Sequence, residues 1–319
     1  MKKSLFTILI AGSLTLFCIN QIFAIPTTKL NGRDYLFLKD IAKIYNMKLS
    51  VSKDSAGLSN KYASLLFNFD SRKGEINKTV VYYFFAPSYN SGNPIISQTD
   101  YNELILPILN SSSLKKQNVT TVIIDPGHGG KDSGALGKNV NEKNVALSIS
   151  RKLANILIKN GFKVIMTRNR DVYLPLKTRP DVANKFKGDI FVSIHCNSAG
   201  KDITGIETYV YAPSDTPTTY SKETPNAKNE GDIYAQNSAN LGYNIQASLA
   251  TLGQNDRGLK HARFAVLKYS SVPSALIETG FLSSSSDESK LKSDSYQTSI
   301  AQMIAEGIMK YKNNVAKSK

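Results

Sequence analysis

The stretch Thr121-Val-Ile-Ile-Asp-Pro-Gly-His-Gly-Gly-Lys-Asp-Ser-Gly134 constrains this chain more than any other. Val122, Ile123 and Ile124 form a short β-branched apolar run, suited to a buried strand. Pro126 and Gly127 stop it. His128 then falls where a strand end opens onto the edge of an α/β sheet, a common place for a site. Gly129 and Gly130 let the backbone approach closely whatever His128 holds. A lone histidine in a turn is most often a hydrogen-bonded structural residue, so a site here requires partners. They are present: Glu142 opens a helical pattern, His195 ends the apolar run Asp189–His195, and Glu278 ends Ser274–Glu278. Two histidines and a carboxylate form a catalytic zinc set that leaves a fourth position to water. A second carboxylate is then available as general base. The spacings alone carry little weight. The placement carries more, because three of the four residues stand at strand ends.

The periodicity from residue 119 onward reads β-α-β-α-β-β-α-β-β-α. Strands are expected at Thr121–Asp125, Lys163–Thr167, Asp189–His195, Ile206–Tyr211, Phe264–Leu267 and Ser274–Glu278. Val145, Ile149, Leu153, Ile156 and Leu157 share one helical stripe, which Gly161 ends, and Ile300, Ile304 and Ile308 share another. Alternating strands and helices predict a three-layer α/β sandwich, with a largely parallel central sheet and helices on both faces. Residues 25–109 alternate short strands with short helices, which predicts a small α+β domain. Strands are expected at Tyr35–Leu38, Ser64–Phe69 and Thr79–Phe85, a helix capped by Asp40, and a last helix ending near Pro107. Residues 110–118 are polar and serine-rich, as a linker is, and 119–314 form the second domain.

Seven motifs, in order, resemble the zinc-dependent N-acetylmuramoyl-L-alanine amidases. They are Ile124–Gly134, Asn141-Glu-Lys143, Thr167–Leu176, Arg179 with Ala183-Asn184, Ser193-Ile-His-Cys-Asn197, Gly205-Ile-Glu-Thr-Tyr209, and Val266-Leu267 leading to Pro273 and Ile277-Glu-Thr-Gly-Phe281. The resemblance runs from about Thr120 to about Tyr311. It implies the three-layer fold, His128, Glu142 and His195 as ligands of Zn2+, Glu278 as the catalytic carboxylate, and peptidoglycan as substrate. The bond cut would be the amide between N-acetylmuramic acid and the L-alanine of the stem peptide. Cys196, Thr279 and Ser283–Ser286 depart from the usual family residues without removing a ligand. The pattern Asn31–Ala42 loosely resembles the small domain at the N-terminus of copper amine oxidases. It carries no histidine, so a structural or wall-binding module is expected. In some members of the amidase family, a helix inserted after the fourth strand plugs the site until an activator removes it. Here Pro213, Pro217 and Pro225 oppose such a helix, and residues 213–231 read as a long surface loop or lid. Whether an activator protein is needed is left open.

Lys2 and Lys3, the apolar run Leu5–Phe17 and Ile22-Phe-Ala24 make residues 1–24 an export signal. The run is too short for a comfortable membrane span. Removing it lowers the net charge from +15 to +13, since two lysines and no acids leave. An exported basic chain favours anionic wall polymers or lipid head groups over nucleic acid, which places it in the periplasm or at the cell surface. Cys196 alone remains, so no internal disulfide forms. Strand alternation turns Cys196 away from the face of His195, favouring a buried small residue over a ligand. Glu207 is a further candidate acid that fits the sheet framework better. His261 lies in a polar segment, 257–263, expected near substrate or solvent. Two other functions compete: a zinc peptidase cutting within the stem peptide, and a wall-binding protein with a dead amidase domain. Retention of all four candidate residues opposes the latter. With no catalytic group before the linker, a chain starting near Gln117 is expected to fold and keep its metal.

Overall fold

The computed structural model describes residues 25–318; the export signal at 1–24 lies outside the described residues. Nine strands precede residue 100: β1 Thr27–Leu30, β2 Arg33–Phe37, β3 Lys48–Val51, β4 Ser55–Ser59, β5 Ser64–Asn68, β6 Lys73–Ile76, β7 Thr79–Tyr82, β8 Ser88–Asn90 and β9 Asn93–Ser97. Six follow: β10 Thr121–Pro126, β11 Lys163–Met166, β12 Ile190–Asn197, β13 Ile206–Tyr211, β14 Asp256–Ala262 and β15 Ser274–Phe281. One small antiparallel sheet runs β1-β2-β9-β8. The other strands form one mixed sheet in the order β11-β10-β12-β15-β13-β14-β7-β6-β5-β4-β3. Its β11-β10-β12-β15 part is parallel, and β13 enters antiparallel to β15.

Alternation along the central strands divides the core in two. Val122, Ile124, Val192 and Ile194 face the helices Glu142–Lys159, Ala235–Ala250 and Asp294–Ala316. Ile123, Phe191, Leu276 and Tyr209 face the other way, toward Ala183 of the helix Thr178–Lys185 and toward Val266 and Leu267. This is the expected three-layer sandwich. The helical stripes land as their spacing predicts: Ile149, Leu153, Leu157, Ile300, Ile304 and Ile308 are all fully buried. Each contributes about 1.5–3 kcal/mol of apolar burial.

The structure corrects one strand assignment and one loop assignment. Phe264–Leu267 is not a strand: Phe264 caps the short helix Ala265–Lys268. The polar stretch 257–263 is not a loop, because most of it belongs to β14, between β13 and β7. Its polar residues find partners on neighbouring strands, which a local pattern cannot show. His261 is accordingly buried, against the expectation of a place near substrate or solvent. Its ring packs on Phe84 at 4.0 Å between centroids. Burial, with the nearby Arg72 charge, pushes its pKa down to about 3 and keeps it neutral. Nearer the N-terminus, the helix Leu38–Ile44 starts at Phe37 and takes Asp40 into its first turn.

The region before residue 110 does not stand apart. β7 adds to the outer edge of β14 with Leu259 opposite Val81, and Val80 N donates to Asp256 Oδ2 at 2.9 Å. Gly258, at φ +89°, lets the strands approach; a Cβ there would lie 2.7 Å from Val80 Cγ1. Leu58, Phe67 and Leu104 share a continuous core with Ile245 and Ile304. The serine-rich segment 110–118 is fastened too. Leu114 is buried, and Lys115 exchanges two hydrogen bonds with the Asn237 side chain, at 3.1 and 2.9 Å.

The shared sheet and core bear directly on the expectation for a chain starting near Gln117. Removing β7 would bare the β14 edge and apolar core, an invitation to aggregation. The whole protein is expected to unfold in a single cooperative calorimetric transition, and the shortened chain to melt lower or aggregate. Two resolved transitions in the whole protein would show independent folding of the two regions.

Candidate metal centre

His128, Glu142 and His195 come together although the first and last are 67 positions apart in the sequence. One ligand atom from each lies within 4.8 Å of the others, and this is the one such group among the described residues. His128 follows the end of β10, His195 lies near the end of β12, and Glu142 is the first residue of the helix Glu142–Lys159. Glu142 Oε1 meets His128 Nε2 at 3.1 Å and His195 Nδ1 at 2.8 Å. The Cys196 amide donates to the same oxygen at 3.0 Å, and the Ala135 amide to Oε2 at 2.7 Å. Burial would raise the Glu142 pKa, but both histidines and their charge hold it well below the usual carboxylate range.

Local backbone serves this arrangement. His128 itself has φ +58°, a left-handed conformation that histidine adopts more readily than most residues but that still costs energy. Two arginines, both buried overall, hold it. Arg168 donates to the carbonyls of Pro126 and Gly127 at 3.0 and 2.7 Å. Arg179 donates to Pro126 and His128, each at 2.9 Å. Arg179 is anchored on the buried Asp125 at 2.9 Å, which also accepts from Thr167 and Ser193. Gly129 and Gly130 play a different part from the one expected. Their missing side chains make room for the backbone of Val172 and Tyr173. The glycines that flank the ligands are Gly127 and Gly134. A Cβ would fall 2.4 Å from the His195 ring on Gly127, and 2.5 Å from Glu142 Oε2 on Gly134.

Asp132, one turn beyond His128, accepts from His128 Nδ1 at 2.9 Å. That contact puts the proton on Nδ1 and leaves Nε2 as the free donor toward a metal. Burial works against protonation of His128, but Glu142 and Asp132 outweigh it and raise its pKa above the ordinary value. The donor set of two imidazoles and one carboxylate, with an outer carboxylate orienting an imidazole, suits a divalent cation of zinc's character. Cys196 does not join it. Its Sγ is buried beside Thr279 Oγ1 at 3.2 Å, and burial together with Glu142 pushes the thiol pKa well up.

Glu278 sits across the sheet between His195 and Glu207, paired in register with each. Its side chain is half-buried, and Oε2 is enclosed with no hydrogen-bond partner among the described residues. Burial, then the charges of Glu142 and Glu207, raise its pKa well above the glutamate range. Glu207 differs. Lys260, Tyr209, Arg257 and Asn197 all donate to it. Against its burial, these donors hold its pKa below the ordinary value, so it is framework, not a proton carrier. Asp132, Arg168 and the buried Lys260 escaped the reading by sequence. The i, i+4 spacing of His128 and Asp132 was a signal for Asp132 alone.

Asp132→Asn keeps the size of the side chain and removes the charge behind His128. Outer-shell changes of this kind cost about 10–100-fold in metal affinity or activity. A drop of that order is expected in competition with a chromophoric chelator, with the fold intact by circular dichroism. Unchanged affinity would remove Asp132 from the site.

The N-acetylmuramoyl-L-alanine amidase family matches residues 122–310. YqiI of Bacillus subtilis (strain 168) is 38% identical over 192 residues, 60% of this chain and 84% of that protein. The N-acetylmuramoyl-L-alanine amidase LytC of the same organism is 36% identical over 220 residues, 68% of this chain and 39% of LytC. Among solved structures, the N-acetylmuramoyl-L-alanine amidase from Clostridium difficile 630 superposes with a TM-score of 0.52 at 35% identity, covering 61% of this chain and 97% of that one. With more than half its length inside the family match, and the buried His–Glu–His group within the matched span, this chain belongs to the N-acetylmuramoyl-L-alanine amidases.

Proposed function

We propose that the protein is exported and hydrolyses peptidoglycan at the amide between N-acetylmuramic acid and L-alanine, using zinc held by His128, Glu142 and His195. The observation that carries this reading is the pairing of that donor set with Glu278, a carboxyl group whose enclosed oxygen has no partner. When bound, the ion supplies Lewis acidity to the carbonyl and acidity to a water. The protein residues do the rest. Glu278 takes a proton from the attacking water and delivers it to the departing L-alanine nitrogen, so water adds across the C–N bond to give a carboxylic acid and an amine. The enclosed oxygen of Glu278, with no competing hydrogen bond among the described residues, is open to take that proton and hold it until the nitrogen needs it. Asp132 orients His128, and the arginine-held turn keeps that imidazole in place. The signal-like segment 1–24 and the basic composition support export toward anionic wall polymers.

Two measurements test this. Mass spectrometry of muropeptides after digestion should show glycan freed of peptide and peptides beginning with L-alanine. Cuts inside the stem peptide would favour the peptidase reading. Glu278→Gln keeps shape and removes the base, so metal content should hold while turnover falls about 10²–10⁴-fold. Near-normal turnover would hand the proton transfer to another group.

A further inference from the structure

The start of β14 carries a device that the proposed chemistry does not use. Ile206 pairs with Asp256 but Glu207 pairs with Gly258, so Arg257 has no residue opposite it. This is a β-bulge, made with Gly258 at φ +89°. Bulges re-aim side chains and recur beside active sites. Regular alternation would send Arg257 and Lys260 to opposite faces. The bulge instead brings both to one oxygen of Glu207: Arg257 Nε donates at 2.8 Å, and Lys260 Nζ donates to the same Oε2.

Glu207 meets two cations, and Glu278, its neighbour in register on β15, is a second carboxylate beside them. Of the two cations, Lys260 has no open face. Its side chain is 1% exposed, and the rings of Tyr82, Tyr209 and Tyr220 surround its ammonium at 5.1–5.7 Å. Glu207 is 1% exposed as well, whereas Arg257 is 26% exposed. The Arg257 guanidinium lies 4.8 Å over the Phe281 ring, and its two terminal nitrogens have no partner among the described residues. Asp287 forms no ion pair with Arg257; its Oδ2 accepts from the amides of Gly205 and Phe281 instead. A planar cation held by Nε and by stacking, with its outer fork open, is pre-organised for a carboxylate.

Its place in the sheet says which carboxylate. Glu278 and Glu207 are neighbours on β15 and β13, and Arg257 lies on the next strand. Arg257 reaches back from β14 to Glu207 on β13 and lies over Phe281 of β15, so its guanidinium stands about one to two strand spacings, about 5–10 Å, from Glu278, within reach of two or three residues of extended peptide. We propose that Arg257 is a substrate-binding residue that receives a free carboxylate of the stem peptide, two or three residues beyond the scissile amide. The proposal rests on the amidase reading above. Two positions could supply the group, the second residue and the third, and both occur in peptidoglycan as the free acid or the amide.

The test uses three matched soluble muropeptides: free carboxylates at both residues, the second amidated, and the third amidated. kcat/KM is measured for the parent protein, Arg257→Gln and Arg257→Lys, with melting temperature and metal content as checks on the fold. In the parent, amidation at the recognised residue is expected to lower kcat/KM about tenfold or more, the scale of a hydrogen bond to a charged group. The other amidation should have little effect, which identifies the residue read. In Arg257→Gln the ratio between acid and amide should collapse toward 1, and Arg257→Lys should keep part of it. A purely structural role for Arg257 would lower all three substrates together and leave the ratio at the parent value, which overturns the proposal. A parent ratio near 1 for both amidations overturns it as well, without touching the amidase reading. Hydrolysis of none of the three by the parent would bring down that reading, and the proposal with it.

Discussion

Glu142 is the carboxylate on which the site depends. Four segments meet at its two oxygens: the turn after β10 through His128, β12 through His195 and the Cys196 amide, the connecting loop through the Ala135 amide, and the helix that Glu142 opens. A buried charge costs several kcal/mol unless it is paired and hydrogen-bonded. At 3% exposure Glu142 meets both conditions. The helix dipole at its N-terminus adds to the same end. A metal must displace protons from the imidazoles of this group, so metal binding and protonation compete for the same atoms.

Around that carboxylate, the structure solves a supply problem. Once β10 ends, the carbonyls of Pro126, Gly127 and His128 have no ladder to join, yet they lie near the interior. Arg168 and Arg179 supply the missing donors. A guanidinium has five N–H groups in a fixed fork, so one side chain can serve several carbonyls at once. Asp125, fully buried, then anchors Arg179 and ties it to Thr167 and Ser193. The left-handed His128 is held by this scaffold, and the strain is localised at the residue that points to the metal set.

The N-terminal region meets the catalytic sheet on the side away from His128. β7 extends the sheet past β14, and Tyr82 closes one wall around Lys260. Arg72 reaches from the β5–β6 turn to the carbonyls of Thr218 and Thr219. Tyr220 accepts from Lys260 at 2.6 Å. The loop expected at 213–231 carries no helix up to Glu230, and its first half is fastened to both regions. The Lys260–Glu207 pair therefore links the N-terminal strands, this loop and the strand neighbouring Glu278. The catalytic sheet and its N-terminal extension share one polar network as well as one core.

By itself, the sequence determined the elements with strong period and punctuation. The stripe ending at Gly161, the run Val122–Ile124 stopped by Pro126 and Gly127, and the final helix all formed where their spacing placed them. It also determined which side chains could make a metal set, because His128, His195 and Glu278 stand at strand ends and Glu142 at a helix start. Local pattern failed where partners come from afar. β14 looked like a polar loop because Lys260 and Arg257 are matched by Glu207, some fifty residues earlier. His261 was expected near substrate or solvent because the ring that covers it, Phe84, lies in another region of the chain. The segment 110–118 looked like a free linker because its anchor, Asn237, is distant in sequence. Periodicity records how a residue meets its own helix or strand. Only the tertiary structure decides which distant group pays for burying a charge.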